Sequence, residues 1–150
     1  MLARAPKTRL RDRASYEFFS SRDGAGQPQW THDLAQRRPV FTHTGRCYRS
    51  RVTYNSALKR YLLVQPIPIN KSRDRAGKLD TRFHGGLAIC DAPEPWGPWT
   101  TVFTIDRWDV GPGESASFPS KWISSDGTTL HLVFSGDDFF SVRQAKLELQ

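Results

Sequence analysis

One hairpin is written twice in this chain, and that repetition constrains the fold more than any other feature. Val52-Thr-Tyr-Asn55 runs through a short polar turn into Tyr61-Leu-Leu-Val64. The same plan returns 71 positions later, from Ile123 through Ser124-Ser-Asp-Gly127 to Leu130-His-Leu-Val133. Strand, tight turn and strand are spelled each time by β-branched and aromatic residues around a turn-forming core. Further β-rich runs follow each copy. Gly86–Cys90 and Thr100–Ile105 come after the first, and Ser141–Ala145 after the second. Near the N-terminus, Ser15–Phe19 alternates and reads as one more strand. No apolar i, i+3, i+4 pattern persists for three turns, so the sequence predicts an all-β protein. Eleven Gly and ten Pro punctuate the 150 residues at short intervals, as many short strands require.

Four strands per repeat is the unit of a β-propeller blade. A 71-residue spacing is longer than the roughly 40–50 residues of the compact propeller repeats, so long loops are expected. On this reading residues 1–41 end one blade, 45–105 form a full four-stranded antiparallel blade, and 115–150 begin an incomplete one. A closed ring takes about four to eight blades. The expectation is therefore a partial propeller whose open edges invite self-association.

Composition excludes several classes. Five Trp, nine Phe and four Tyr argue against disorder. No apolar run is long enough for a membrane helix, and the basic segment Met1–Arg13 lacks the apolar centre of a signal peptide. The net charge of +7 is concentrated in residues 1–51, where eleven Lys/Arg stand against four Asp/Glu. No helix-turn-helix, zinc-finger or RNA-binding aromatic motif accompanies that charge, which disfavours nucleic acid as a partner. Cys47 and Cys90 allow a single disulfide, with two buried thiols the preferred alternative. No Cys/His cluster has metal-ligand spacing, and no EF-hand loop supports Ca²⁺, so no cofactor is expected. Glycine-rich phosphate loops and the Gly-x-Ser-x-Gly nucleophile motif are absent as well.

Four segments carry a family resemblance. They are Leu2–Lys7 with Arg11–Phe19, Val52–Asn55 with Leu58–Leu62, Ala92-Pro-Glu-Pro-Trp-Gly-Pro-Trp99, and Lys121-Trp-Ile-Ser-Ser-Asp-Gly127. In this order they resemble a domain-of-unknown-function family of five-bladed β-propellers related in shape to glycoside hydrolases, some of whose members are described as endo-D-arabinanases. The resemblance spans nearly the whole chain and begins inside a blade, so the chain is expected to be a fragment covering the later blades. It implies a secreted parent family, while the compartment of this chain stays open. Ser124–Thr129 is also similar to the Asp-box turn of sialidases, but it is one residue short and lacks the aromatic, and it reads as an ordinary hairpin turn.

Propeller geometry then sorts the loops. Ala92–Trp99 falls between third and fourth strands, away from the ligand face, and Trp96 and Trp99 are expected to fill space between blades. The ligand-face loops are Thr42–Tyr48, Pro66–Phe83 and Asp106–Ser117, with Gly136–Asp138. Hydrolysis of a glycosidic bond needs two carboxylates, one of them protonated. Asp106, Asp109, Glu114 and Asp137 are the candidate catalytic groups, with Asp138 beside them. Tyr48, Arg49, Trp108 and Lys121 are the candidate substrate-binding groups, joined by Arg51, and Trp122 is expected in the core. Two functions stand side by side. One is a glycoside hydrolase of the propeller type acting on arabinan-like or other polysaccharide. The other is a non-catalytic carbohydrate-binding propeller, or a truncated product without independent function. For these 150 residues alone the second group is favoured, because essential acids of related hydrolases come from early blades.

Overall fold

The structure, a computed structural model, describes residues 1–43 and 48–149. It is all-β. Ten strands form three antiparallel sheets, and among the described residues helical turns occur only as short 3-10 segments.

The first sheet has the order β1-β2-β3, with β1 Ala3–Arg4, β2 Glu17–Arg22 and β3 Pro28–Thr31. The sequence places a strand at Ser15–Phe19, but the strand starts later. Asp12 accepts the Ala14 N–H at 2.9 Å and holds Arg13–Ser15 in a 3-10 turn. A tight turn at Asp23–Gly26 then joins β2 to β3, with Asp23 capping the Ala25 and Gln27 N–H groups.

The central sheet is a four-stranded meander, β4 Arg51–Asn55, β5 Arg60–Ile67, β6 Gly86–Ala92 and β7 Thr100–Ile105. β5 is buried from Leu62 to Ile67, as a strand covered on both faces must be. By the two-residue alternation, Leu62 and Val64 point to one side with Leu87 and Ile89 of β6. These side chains pack on Phe118, Leu130, Leu132 and Phe134 to make the main core. Burying each large aliphatic contributes roughly 1.5–3 kcal/mol. Leu63, Ile67, Ala88, Cys90 and Ala92 fill the opposite face. The Pro-rich segment after β6 sets Trp96 edge-on to Trp30 at 6.3 Å and Trp99 edge-on to Phe41 at 6.4 Å. The Trp96–Trp30 contact joins the segment after β6 to the first sheet.

The third sheet has the order β10-β9-β8, with β8 Ala116–Ser117, β9 Thr129–Phe134 and β10 Ser141–Lys146. Here the sequence misplaces the opening strand. Pro119 ends β8, and Ser120–Trp122 close into a 3-10 turn instead of a strand. Trp122 is consequently 47% exposed and edge-on to His131, not a core residue. The Ser124–Gly127 turn forms where expected. Thr53 of β4 donates to the Phe118 carbonyl at 2.7 Å, and the buried Asn55 donates to the Gly127 carbonyl at 2.8 Å. These two bonds lock the second and third sheets in one relative position. The Cys47–Cys90 pairing lies outside the described residues. Cys90 itself is buried in β6, with Sγ 3.9 Å from the Thr101 hydroxyl.

Candidate functional site

Antiparallel pairing sends alternate strand ends to one side. β4, β6, β8 and β10 begin where β5, β7 and β9 end. The segments 68–85, 106–115 and 135–140, and the residues leading into β4, therefore gather at a single end of the molecule.

Backbone contacts knit these loops together. Trp108 N–H donates to the Gly85 carbonyl at 2.9 Å and Gly113 N–H to the Thr81 carbonyl at 3.1 Å. The buried Thr81 hydroxyl returns a bond to the Gly113 carbonyl. Gly111 N–H donates to Asp137 Oδ1 at 2.8 Å, and Glu114 N–H to the Ser135 hydroxyl at 3.3 Å. A Cβ on Gly111 would lie 1.9 Å from the Arg82 carbonyl oxygen, so only glycine permits this approach.

Charged side chains from four segments meet on this scaffold. Arg49 pairs with Glu114 at 2.5 Å, its guanidinium 5.6 Å from the centre of the Tyr48 ring. Arg51 donates to the Ser115 hydroxyl at 3.4 Å. Arg82 pairs with Asp80 at 2.9 Å and reaches Asp138 at 3.7 Å. The Arg82 hydrogen bonds hold the Asp80 carboxyl below its usual range. In turn Asp80, and to a smaller degree Asp138 and Glu114, raise the Arg82 pKa. Asp137 and Asp138 adopt left-handed backbone, φ 49° and 68°, a conformation that Asp tolerates better than most residues.

Three aromatic rings on these loops are exposed. Phe83 is 52% exposed, Phe139 75% and Phe140 76%. Phe83 follows Arg82 in sequence, and Phe139 follows Asp138, so the Arg82–Asp138 contact brings the two aromatic segments toward each other. Ion pairs and exposed aromatic rings on the same loops suit a ligand with C–H faces and hydroxyl edges.

The candidates read from the sequence fall into groups. Tyr48, Arg49, Glu114 and Asp137 all belong to this cluster. Asp106 is exposed directly after β7, at the same end. Trp108 and Asp109 are engaged elsewhere. Trp108 packs on Phe134 with centroids 4.8 Å apart, and the Arg143 guanidinium covers it at 4.8 Å. Arg143 grips both Asp109 oxygens at 2.8 and 2.7 Å, which keeps the Asp109 carboxyl below its ordinary range. Trp108 is thus partly buried against the core, between Phe134 and Arg143. Lys121 sits exposed in the 3-10 turn beyond β8, toward the other end of that strand, and joins no part of the cluster. Phe83, Phe139, Phe140 and Arg82 were not singled out by sequence reasoning.

Three of the candidate carboxylates are already engaged: Asp109 with Arg143, Glu114 with Arg49, and Asp137 with the Gly111 backbone N–H. A general acid must retain its proton, and the Arg143 contact opposes that at Asp109. Among the described residues no group of three or more His, Cys, Asp or Glu side chains is arranged to hold a metal ion, and no helix is long and apolar enough to cross a membrane. No family model, curated protein or solved structure matches this chain.

Proposed function

We propose that this chain is part of a carbohydrate-binding β-propeller that recognises a polysaccharide without cleaving it. The observation that carries the reading is the exposure of Phe83, Phe139 and Phe140 on the same loops that carry the Arg49–Glu114 and Arg82–Asp138 contacts. Sugar rings stack their C–H faces on aromatics, while guanidinium–carboxylate pairs accept and donate to vicinal hydroxyls. The four-stranded antiparallel meander and the second hairpin-based sheet support blades as the architectural unit. Asp109, held in its charged form by Arg143, is unsuited to the protonated role that the two-carboxylate mechanism requires.

Affinity electrophoresis tests the reading, with arabinan and a panel of neutral polysaccharides cast into the gel. The wild-type chain is retarded by at least one of them, with no new reducing ends released. Phe139→Ala and Phe140→Ala each weaken binding by about tenfold, as loss of one stacking ring implies. Unretarded migration in every gel overturns carbohydrate binding. Release of reducing ends by the wild type, abolished in Glu114→Gln, overturns the non-catalytic half of the proposal.

A further inference from the structure

The 68–85 and 106–115 segments meet at a buried backbone joint. Ser72 is fully buried; its hydroxyl accepts the Ile69 N–H at 3.1 Å and donates to the His84 carbonyl. The Ser72 N–H donates to the Ile69 carbonyl at 2.8 Å. One residue after His84, the Gly85 carbonyl accepts the Trp108 N–H at 2.9 Å. A Cβ on Gly85 would stand 2.9 Å from the Ile67 carbonyl oxygen, so the backbones pack tightly here. Lys71, His84 and Arg107 directly precede Ser72, Gly85 and Trp108, three residues of this joint. The joint therefore brings three exposed basic residues to one place, and with Phe83 they line a groove of about 180 Å³.

The chemistry of the groove is one-sided. No acidic side chain lines it, and among the described residues no carboxylate forms an ion pair with Lys71, His84 or Arg107. Asp80 and Asp109, on the same two segments, are held instead by Arg82 and Arg143. Lys and Arg offer donors and no acceptor, and their bonds to an oxyanion are roughly twice as strong as neutral hydrogen bonds. The volume is below the roughly 300–1,000 Å³ that encloses a whole small-molecule ligand, so the groove suits a charged substituent better than a complete sugar ring. Phe83 belongs both to this groove and to the exposed aromatics of the loop cluster. A sugar ring stacked on Phe83 has its substituents within reach of the three basic groups.

We infer that the saccharide recognised at the loop cluster carries an oxyanion, a uronate carboxylate or a sulfate ester, which seats among Lys71, His84 and Arg107 while the ring stacks on Phe83. The inference rests on carbohydrate recognition at this cluster and names the class of sugar. The anion adds to ring stacking, so neutral saccharides still bind, more weakly.

Isothermal titration calorimetry of the intact chain at physiological ionic strength tests it. The probes are an oligogalacturonide beside its methyl ester, and a κ-carrageenan oligosaccharide, sulfated and free of uronate, beside its desulfated form. At least one anionic probe binds about tenfold or more tighter than its neutral counterpart, and the pair that shows the preference identifies the oxyanion. Lys71→Gln and Arg107→Gln each lower that ratio about threefold or more, and the double variant brings it to about one. Arg75→Gln, exposed on the same segment but outside the groove, leaves the ratio unchanged and controls for diffuse attraction. Thermal melting of each variant confirms that the fold is kept. Equal affinity for charged and neutral forms in both pairs overturns the inference and leaves carbohydrate recognition standing, whereas no binding of any probe overturns both. A preference that survives the double variant, or that Arg75→Gln lowers as much, places the attraction outside the groove and overturns the inference as well.

Discussion

Asp126 shows how a single side chain organises a turn that the rest of the sheet depends on. Its carboxylate accepts from the Ser124 hydroxyl at 2.5 Å, the Thr128 N–H at 3.0 Å and the Thr128 hydroxyl at 2.9 Å. The Ser124 bond first, then the Thr128 bonds, lower its pKa to about 2. Because the folded value lies below the unfolded one, the charged form stabilises the fold above the unfolded pKa, and that contribution disappears as pH falls through the folded value. Asp126→Asn therefore melts below the wild type at neutral pH, and the difference closes as the pH approaches 2; melting temperature against pH checks this. At the loop cluster the individual residues were only partly legible in the sequence. Glu114 and Arg49 were both singled out, one as an acid and one as a sugar contact, yet their pairing joins residues 65 positions apart. Nothing local announces such a contact. Phe139 and Phe140 carry no local sign of exposure, because large apolar residues are usually inside. They directly follow the left-handed Asp137-Asp138 step and are exposed.

At the scale of elements, the first copy of the hairpin forms β4 and β5, whereas the second keeps only its turn and its closing strand β9. The buried Asn55 is one of two side chains at the joint between them. Asn55 at the end of β4 is fully buried, donates to the Gly127 carbonyl and accepts the Leu58 N–H at 3.3 Å. Asn55→Ala leaves the buried Gly127 carbonyl without that partner and costs about 1–3 kcal/mol. Gly127 has φ +78°, and a Cβ there would stand 2.7 Å from Asn55 Oδ1, so Gly127→Ala costs a similar amount, roughly 1–3 kcal/mol. Both values are read from chemical denaturation. Their double mutant is expected to be less destabilised than the sum of the two, since both changes break the same joint. The strands most visible in the sequence were those with β-branched runs, β5, β6, β7 and β9. The short strands β1 and β8, two residues each, were not legible because so few residues carry no periodicity. β8 was also displaced in the reading by Lys121-Trp-Ile, whose β-rich composition is overruled by Pro119 and the 3-10 turn after it.

For the whole molecule, alternating strand directions determine what the loops can do together. Segments from four parts of the chain converge because consecutive antiparallel strands return to the same end, and the ion pairs then align their side chains. The opposite arrangement holds at Trp108, whose place in the loop suggested a ligand contact but whose ring is enclosed by Phe134 and Arg143. The phenylalanines are exposed and Trp108 is half-buried against the core. Titration of the chain with an arabino-oligosaccharide, followed in aromatic ¹H–¹³C spectra, distinguishes them directly. Saturable shifts in the Phe83, Phe139, Phe140 and Tyr48 rings, with the Trp108 ring unmoved, are what carbohydrate recognition at the loop cluster requires. Shifts centred on Trp108, or rings that none of the polysaccharide-derived oligosaccharides perturbs, contradict it.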